Sequence, residues 1–307
     1  LRLHHLCGLG RCLGLGCRAA LVRALDELRM YKTAYEIACL REANRLAVAG
    51  HQAAKAAFVG AASELDIQLA YLQASRQRES DVPYQNIIGL NQHAGVLHYQ
   101  RYDLSAPSQR HSLLVDAGRR FRGYAADITR THAGPDAPAA FGELVTALHH
   151  LKDQLIQHAA PGVEFVSLHE QMHRYLAEIL VQHGLYEGSA ESAIELGVTR
   201  AFCPHGLGHS LGIQVHDVAG LMHSDGTPAP PPPQHPALRL TRTLRPGMVV
   251  TIEPGLYFIP MLLAPLRQQG IAVNWATVDA LAACGGIRIE DNIVITESGC
   301  DNLTQLH

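Results

Sequence analysis

Between Arg23 and Phe58 apolar residues recur at steps of three and four, through Ile37, Leu40, Ala43 and Ala47, with Glu36, Arg41 and Glu42 at intervening positions. That spacing predicts helix, and Gly50 inside it marks either a break or a close packing contact. Ser63 is placed to cap a second helix carrying Leu65, Ile67, Leu69 and Leu72. The pattern then shortens: Asn86–Leu90, Val96–Gln100 and Ser112–Asp116 read as strands separated by polar turns. Residues 117–120 form a hairpin-length link into Phe121–Asp127. Asp116 and Asp127 are thereby expected on neighbouring antiparallel strands, close enough to share one spot across the ladder.

The second half repeats the order. Ala139–Ala159 predicts a long helix ended by Pro161-Gly162. Ser167-Leu168-His169-Glu170 reads as a capping box opening another helix, which Gly184 closes. Residues 198–217 are rich in glycine and histidine. Four consecutive prolines, Pro230 to Pro233, predict a polyproline-like surface loop over Thr227–Pro236. Met248–Glu253, Gly286–Glu290 and Asn292–Thr296 read as buried strands. Two groups of helices and two of strands imply an α+β fold with a mixed or antiparallel sheet rather than a Rossmann-like alternation. Neither GxGxxG nor a P-loop is present.

Composition narrows the class. The 307 residues, 47 % of them apolar, suffice for one large domain or two modest ones with a sizeable core. A net charge of −3 without a basic stripe argues against nucleic acid as the main partner. No apolar run approaches the roughly 18 residues that span a bilayer, so a membrane role is not expected. The seven cysteines form no CxxC pair and imply free thiols in a reducing, cytoplasmic setting. Cys7, Cys12 and Cys17 sit in a Leu-, Gly- and Arg-rich opening segment without a clear period, read as an irregular, composition-biased tail rather than a metal site. With 19 histidines in the chain, a histidine alone proves nothing.

Five residues stand apart. His209 lies in Cys203-Pro204-His205-Gly206-Leu207-Gly208-His209-Ser210-Leu211-Gly212, and two acids precede it and two follow it. These are Asp116 in LVDAG, Asp127 in AADITR, Glu253 in TIEPG and Glu290 in IRIED. Singly each has a bland reading: a strand-end aspartate is usually a turn or cap residue, and a glycine-histidine loop binds phosphate or is merely tight. Together they suggest a pair of divalent cations. A like-charged pair at 4 Å costs about 4 kcal/mol at an effective dielectric near 20, and two dications balance four carboxylates. Carboxylate-rich ligation with one imidazole suits Mn, Fe, Co or Zn, and a bridging water loses a proton near neutral pH.

The motifs VDAG, ADITR, HGLGHSLG with VHD, TIEPG and IRIEDN, in this order and spacing, resemble those of the pita-bread metallopeptidases, in particular the Xaa-Pro dipeptidases (prolidases). The likeness runs from about residue 30 to 300 and includes Arg41-Glu42-Ala43-Asn44, Asp81-Val82-Pro83-Tyr84, Leu97-His98-Tyr99 and Glu253–Ile259. It implies a pseudo-symmetric pair of αβ halves with the dimetal site between them. Residues 31–307 are then the catalytic domain and residues 1–30 a remnant or irregular segment, the family's N-terminal domain being largely absent. That domain helps the family's members to dimerise, so a homodimer is left open.

The same resemblance implies roles. Asp116 would chelate one metal, Asp127 and Glu290 would bridge, and His209 and Glu253 would bind the other. Glu253 would also be the acid–base group. His205 would support the ligands, His98 and His216 would contact substrate and stabilise the tetrahedral intermediate, and Arg288 would orient carboxylates or contact substrate. Arg239 would bind the free carboxylate of the dipeptide. The implied reaction is hydrolysis of an Xaa-Pro dipeptide by a hydroxide bridging two metals, Mn2+ first, with Co2+ or Zn2+ as alternatives. Two rivals stand: an aminopeptidase P acting on longer Xaa-Pro peptides, and a non-catalytic pita-bread binding protein. Retention of all five ligands weighs against the second, and Arg239 with Tyr257-Phe258-Ile259 favours the dipeptidase over the first.

Overall fold

The computed structural model describes residues 15–304. The first half opens with helices α1 (Leu15–Met30), α2 (Ala34–Val59) and α3 (Glu64–Ser75). Strands β1 (Ile87–Leu90), β2 (Ser112–Asp116), β3 (Arg120–Phe121), β4 (Tyr124–Ala125) and β5 (Thr129–Ala133) follow. The second half comprises α4 (Ala139–His158), α5 (Phe165–Gln182), the short α6 (Ala190–Glu195) and α7 (Val198–Phe202), then β6 (Val249–Ile252) and β7 (Gly255–Tyr257). It ends with α8 (Pro260–Gln268), α9 (Trp275–Leu281), β8 (Gly286–Arg288), β9 (Asp291–Ile295) and β10 (Cys300–Asn302).

The halves match in plan. Each pairs two long helices, α2 with α3 and α4 with α5, and each carries a three-stranded antiparallel sheet, β1-β2-β5 or β10-β9-β6. Each adds a two-stranded ladder, β3-β4 or β7-β8. The largest apolar cluster lies in the second half, where α4 and α5 lay Leu148, Leu155, Met172 and Leu176 against Val250, Ile252 and Ile293 of the sheet. The halves meet where Thr129, at the start of β5, bridges Glu290, whose N–H donates to the Thr129 carbonyl at 2.9 Å.

Local chemistry explains the helix starts. Thr33 and Glu36 close a reciprocal capping box on α2, and Ser63 and Asp66 do the same on α3. Gly50 lies inside α2 without breaking it. A Cβ there would fall 2.6 Å from the Tyr71 ring, so of its two readings close packing against α3 is the one observed.

Four expectations are corrected. The opening segment, read as irregular, is helical from Leu15 to Met30, and its helix is tied down by Glu27–Arg242 and Arg29–Asp217 ion pairs. Its apolar residues Leu21, Val22, Leu25 and Leu28 are exposed, so no core-facing period marks it in the sequence. Cys7, Cys12 and the side chain of Cys17 lie outside the described residues. Val96–Gln100 is not a strand: Asn91 takes a left-handed conformation (φ 56°) after β1, and the chain coils through a 3-10 turn over Asn91–Gly95. Phe121–Asp127 does not run beside β2. Arg122 and Gly123 both adopt positive φ and close the small β3-β4 hairpin, which leaves β5 to pair with β2. Helix α5 begins at Phe165, before the expected Ser167 box, because the Phe165 N–H is satisfied by the Arg242 carbonyl and its ring is fully buried. No described helix is long and apolar enough to cross a membrane.

Candidate metal centre

Residues 207–211 run antiparallel beside β6. The N–H groups of Thr251 and Glu253 donate to the carbonyls of His209 and Leu207 at 3.0 and 2.8 Å, and the Leu211 N–H donates to Val249 at 3.0 Å. The His209 N–H also donates to Thr251 Oγ1 at 3.1 Å. This lacing needs glycine at 208, where a Cβ would lie 2.0 Å from the Thr251 carbonyl oxygen. It places His209 beside Glu253, which follows the end of the same strand.

All ten residues singled out in the sequence line one cavity of about 390 Å³: Asp116, Asp127, His209, Glu253, Glu290, His98, His205, His216, Arg239 and Arg288. Asp127, His209 and Glu290 each offer a ligand atom within 4.8 Å of the others. His209 Nε2 lies 3.4 Å from Asp127 and 3.7 Å from Glu253. Its Nδ1 donates to the Ser210 carbonyl at 3.0 Å, which leaves Nε2 with the lone pair facing the carboxylates. Asp116 stands at the end of β2, opposite Thr129. Its Oδ2 accepts from Arg288 at 2.6 Å, while its Oδ1 is buried without a hydrogen-bond partner.

The charges conflict as they stand. Burial pushes Glu253 up to about 7 against the pull of His209 and Arg288. Burial followed by Asp127 and Glu253 drives Glu290 far above the usual carboxylate range, and burial likewise raises Asp116. Burial opposes ionisation of Asp127 and of His209, yet their mutual contact wins, so the acid is lowered and the imidazole raised. Two buried carboxylates, Asp127 and Glu290, two half-buried ones, Asp116 and Glu253, an orphaned Oδ1 and an imidazole lone pair aimed at acids are what divalent cations would satisfy. The donor set fits them.

The remaining groups hold the centre in place. Arg288, 4 % exposed, donates to Asp116, to Thr129 Oγ1 at 3.3 Å and to Tyr257 OH at 2.8 Å. The Tyr257 hydroxyl lies 2.9 Å from His205 Nε2, and His205 Nδ1 donates to the Gly206 carbonyl at 2.8 Å, which fixes its tautomer. Burial followed by Arg288 lowers His205 to about 4, so it stays neutral. His216 is exposed and meets the His209 ring edge-on at 4.4 Å. His98 and Arg239 are exposed on the cavity wall, and Arg239 has no ion-pair partner among the described residues.

Four contributors carry no role in the sequence reading. Tyr84 donates to Asp127 Oδ1 at 2.5 Å, and Thr129 donates to Glu290 at 2.6 Å. Asn292 clasps the Asp127 backbone on both sides, accepting from its N–H at 3.0 Å and donating to its carbonyl. Tyr257 links His205 to Arg288. Each lies within a recognised motif, but the pairings span 31 to 165 positions and have no local signature.

The model of metallopeptidase family M24 matches residues 38–297. An Xaa-Pro dipeptidase of Marinobacter nauticus is 56 % identical over 290 residues, covering 94 % of this chain and 66 % of the relative. One of Shewanella amazonensis is 51 % identical over 280 residues, covering 90 % and 63 %. The chain thus spans about two thirds of the length of the curated relatives it matches. Among solved structures, a proline aminopeptidase P II from Yersinia pestis matches with a TM-score of 0.74 at 31 % identity, over 92 % of this chain and 58 % of that one. Zinc-substituted Escherichia coli aminopeptidase P in complex with product matches with a TM-score of 0.76 at 29 % identity, over the same shares. With the paired αβ halves, these likenesses establish the pita-bread fold. The chain belongs to metallopeptidase family M24.

Proposed function

We propose that this chain carries the catalytic unit of an Xaa-Pro dipeptidase, in residues 31–307, and that Asp116, Asp127, His209, Glu253 and Glu290 hold two divalent metals. The observation that carries the reading is the convergence of these five on one cavity whose acids cannot all ionise unaided. The Xaa-Pro dipeptidases at 49–56 % identity support the substrate class. The carboxylate-rich donor set favours Mn2+, with Co2+ or Zn2+ as alternatives. Free Cys39, Cys203, Cys284 and Cys300 accord with a cytoplasmic location.

When bound, the metals would supply Lewis-acid polarisation of the scissile carbonyl and activation of water. The chain's own residues do the rest. Arg239, unpaired on the wall, receives the dipeptide's carboxylate in a charge-assisted fork and sets the length of substrate that fits. His216 and His98 flank the carbonyl and donate to the oxygen as it gains charge. Glu253, facing the cavity, passes a proton to the leaving prolyl nitrogen, which carries no N–H of its own. Arg288 holds Asp116, and the Arg288–Tyr257–His205 chain keeps the floor of the site rigid.

The structural neighbours are aminopeptidases P, which favours a second reading in which longer Xaa-Pro peptides are cut. Purified protein loaded with Mn2+ is assayed on Gly-Pro and on a tripeptide Xaa-Pro-Xaa. Hydrolysis of Gly-Pro is expected; turnover of the tripeptide alone selects the aminopeptidase. Titration of metal-stripped protein with Mn2+, Co2+ and Zn2+ ranks the metals.

A further inference from the structure

A second group of donors lies away from the acids. His169 and His173 sit one turn apart on α5, in His169-Glu170-Gln171-Met172-His173. This is an HExxH run, the spacing that turns two imidazoles to one helix face and onto one metal. The segment after the four prolines brings His235 onto the same face. The ring centroids are 4.7 Å apart for His169–His173, 4.4 Å for His169–His235 and 4.9 Å for His173–His235. One nitrogen from each ring lies within 4.8 Å of those from the other two.

Packing alone leaves this cluster unexplained. His169 and His173 are 1 % and 3 % exposed, and the Nδ1 of each is buried without a hydrogen-bond partner. Such an orphan is destabilising, and two stand side by side. Burial lowers the two imidazoles to about 2 and about 3, so both are neutral ligands at physiological pH. His235 is lowered by burial and then by the charge of Arg200, with half-buried Glu170 pulling the other way.

We propose that His169, His173 and His235 form a separate tris-imidazole site for a divalent transition metal of the zinc type, which clamps the proline-rich segment to α5. Zinc–nitrogen bonds of about 2.0–2.1 Å put tetrahedral ligands roughly 3.4 Å apart, so the three nitrogens, within 4.8 Å of one another as they stand, draw closer on binding. Three imidazoles select zinc, nickel or copper, whereas carboxylates select manganese, so the two sites differ in preference. The clamp acts two residues before the cavity wall, where Ala237 and Arg239 stand, and sets how firmly that wall is held.

The full chain is stripped of metal, saturated with Mn2+, and its Zn2+ uptake measured by equilibrium dialysis with elemental analysis. His235→Ala removes the half-exposed ligand at little risk to the fold, and His173→Gln is the second variant. Wild type is expected to take up about one zinc per chain beyond its manganese, in keeping with a three-histidine site, and both variants are expected to lose it. With Co2+ as probe, the intense visible bands of a tetrahedral nitrogen site persist in Asp127→Asn and vanish in Asp127→Asn/His235→Ala. Zinc at about a hundred times its dissociation constant slows tryptic cleavage after Arg239 by up to about a hundredfold in wild type, and leaves His235→Ala unprotected. Equal zinc uptake by wild type and His235→Ala, or cleavage indifferent to zinc, overturns the proposal.

Discussion

Gly208→Ala tests how the glycine-histidine stretch serves the centre. The added Cβ would lie 2.0 Å from the Thr251 carbonyl oxygen, 2.8 Å from its carbon and 2.9 Å from its Oγ1. The carbonyl atoms are backbone of β6, so no side-chain rotation relieves the clash. Restoring a tolerable 3.0–3.4 Å needs a displacement of about 1.0–1.4 Å between the two segments. Hydrogen bonds of 2.8–3.1 Å joining Leu207 and His209 to Thr251 and Glu253 cannot survive a shift of that size. Overpacking costs about 1–3 kcal/mol, and two weakened backbone bonds add about 0.5–1.5 kcal/mol each, so a loss of about 2–6 kcal/mol is expected. His209 would move relative to Asp127 and Glu253 by a similar distance, and a misplacement near 1 Å costs on the order of a hundredfold in rate. Urea unfolding, metal content and dipeptide hydrolysis are measured together. A variant within about 0.5 kcal/mol of wild type, with full metal content and activity, would refute the claim that the glycine serves close approach.

Other outcomes follow from the same geometry. Gly142→Ala in α4, where the nearest atom to the new Cβ is 4.0 Å away, should stabilise by about 0.5–1 kcal/mol, read as a raised urea midpoint. Tyr257→Phe leaves Arg288 Nη1 and His205 Nε2 without the hydroxyl that joins them. A loss of about 2–4 kcal/mol on urea unfolding is expected, and a variant as stable as wild type would show that the link is idle. Stability should fall in mild acid through His51, which burial, then Arg130, lowers to about 3. Below its unfolded value of about 6.5 the unfolded chain binds a proton that the folded chain refuses until about pH 3. Each pH unit in that window therefore removes about 1.4 kcal/mol. Denaturation at pH 7 and pH 5 should show the drop, and His51→Asn should make it shallower by the share of one imidazole, the rest coming from His169, His173 and His205, which burial also lowers.

Much of the site is legible in the sequence because its cues are local. The oxygen and nitrogen donors each sit in a short run of apolar strand or glycine turn. The boxes at Thr33 and Ser63, the long helix from Ala139 and the strands before Asp116 and Glu253 follow from neighbouring residues alone. Tertiary structure decided what depends on distant partners. It moved Asp127 off the expected strand, because Arg122-Gly123 closes its own small hairpin and leaves β5 as the partner of β2. It set Thr129 against Glu290 across 161 positions and closed Tyr84, Asn292 and Tyr257 around the acids. It also gathered His169, His173 and His235, though the chain separates the last from α5 by more than fifty residues. Periodicity reports which face of an element is buried; it carries no record of which distant group that face will meet. The candidate ligands of this protein are therefore written in its sequence, while their charges, orphaned atoms and supports exist only once the two halves have closed on each other.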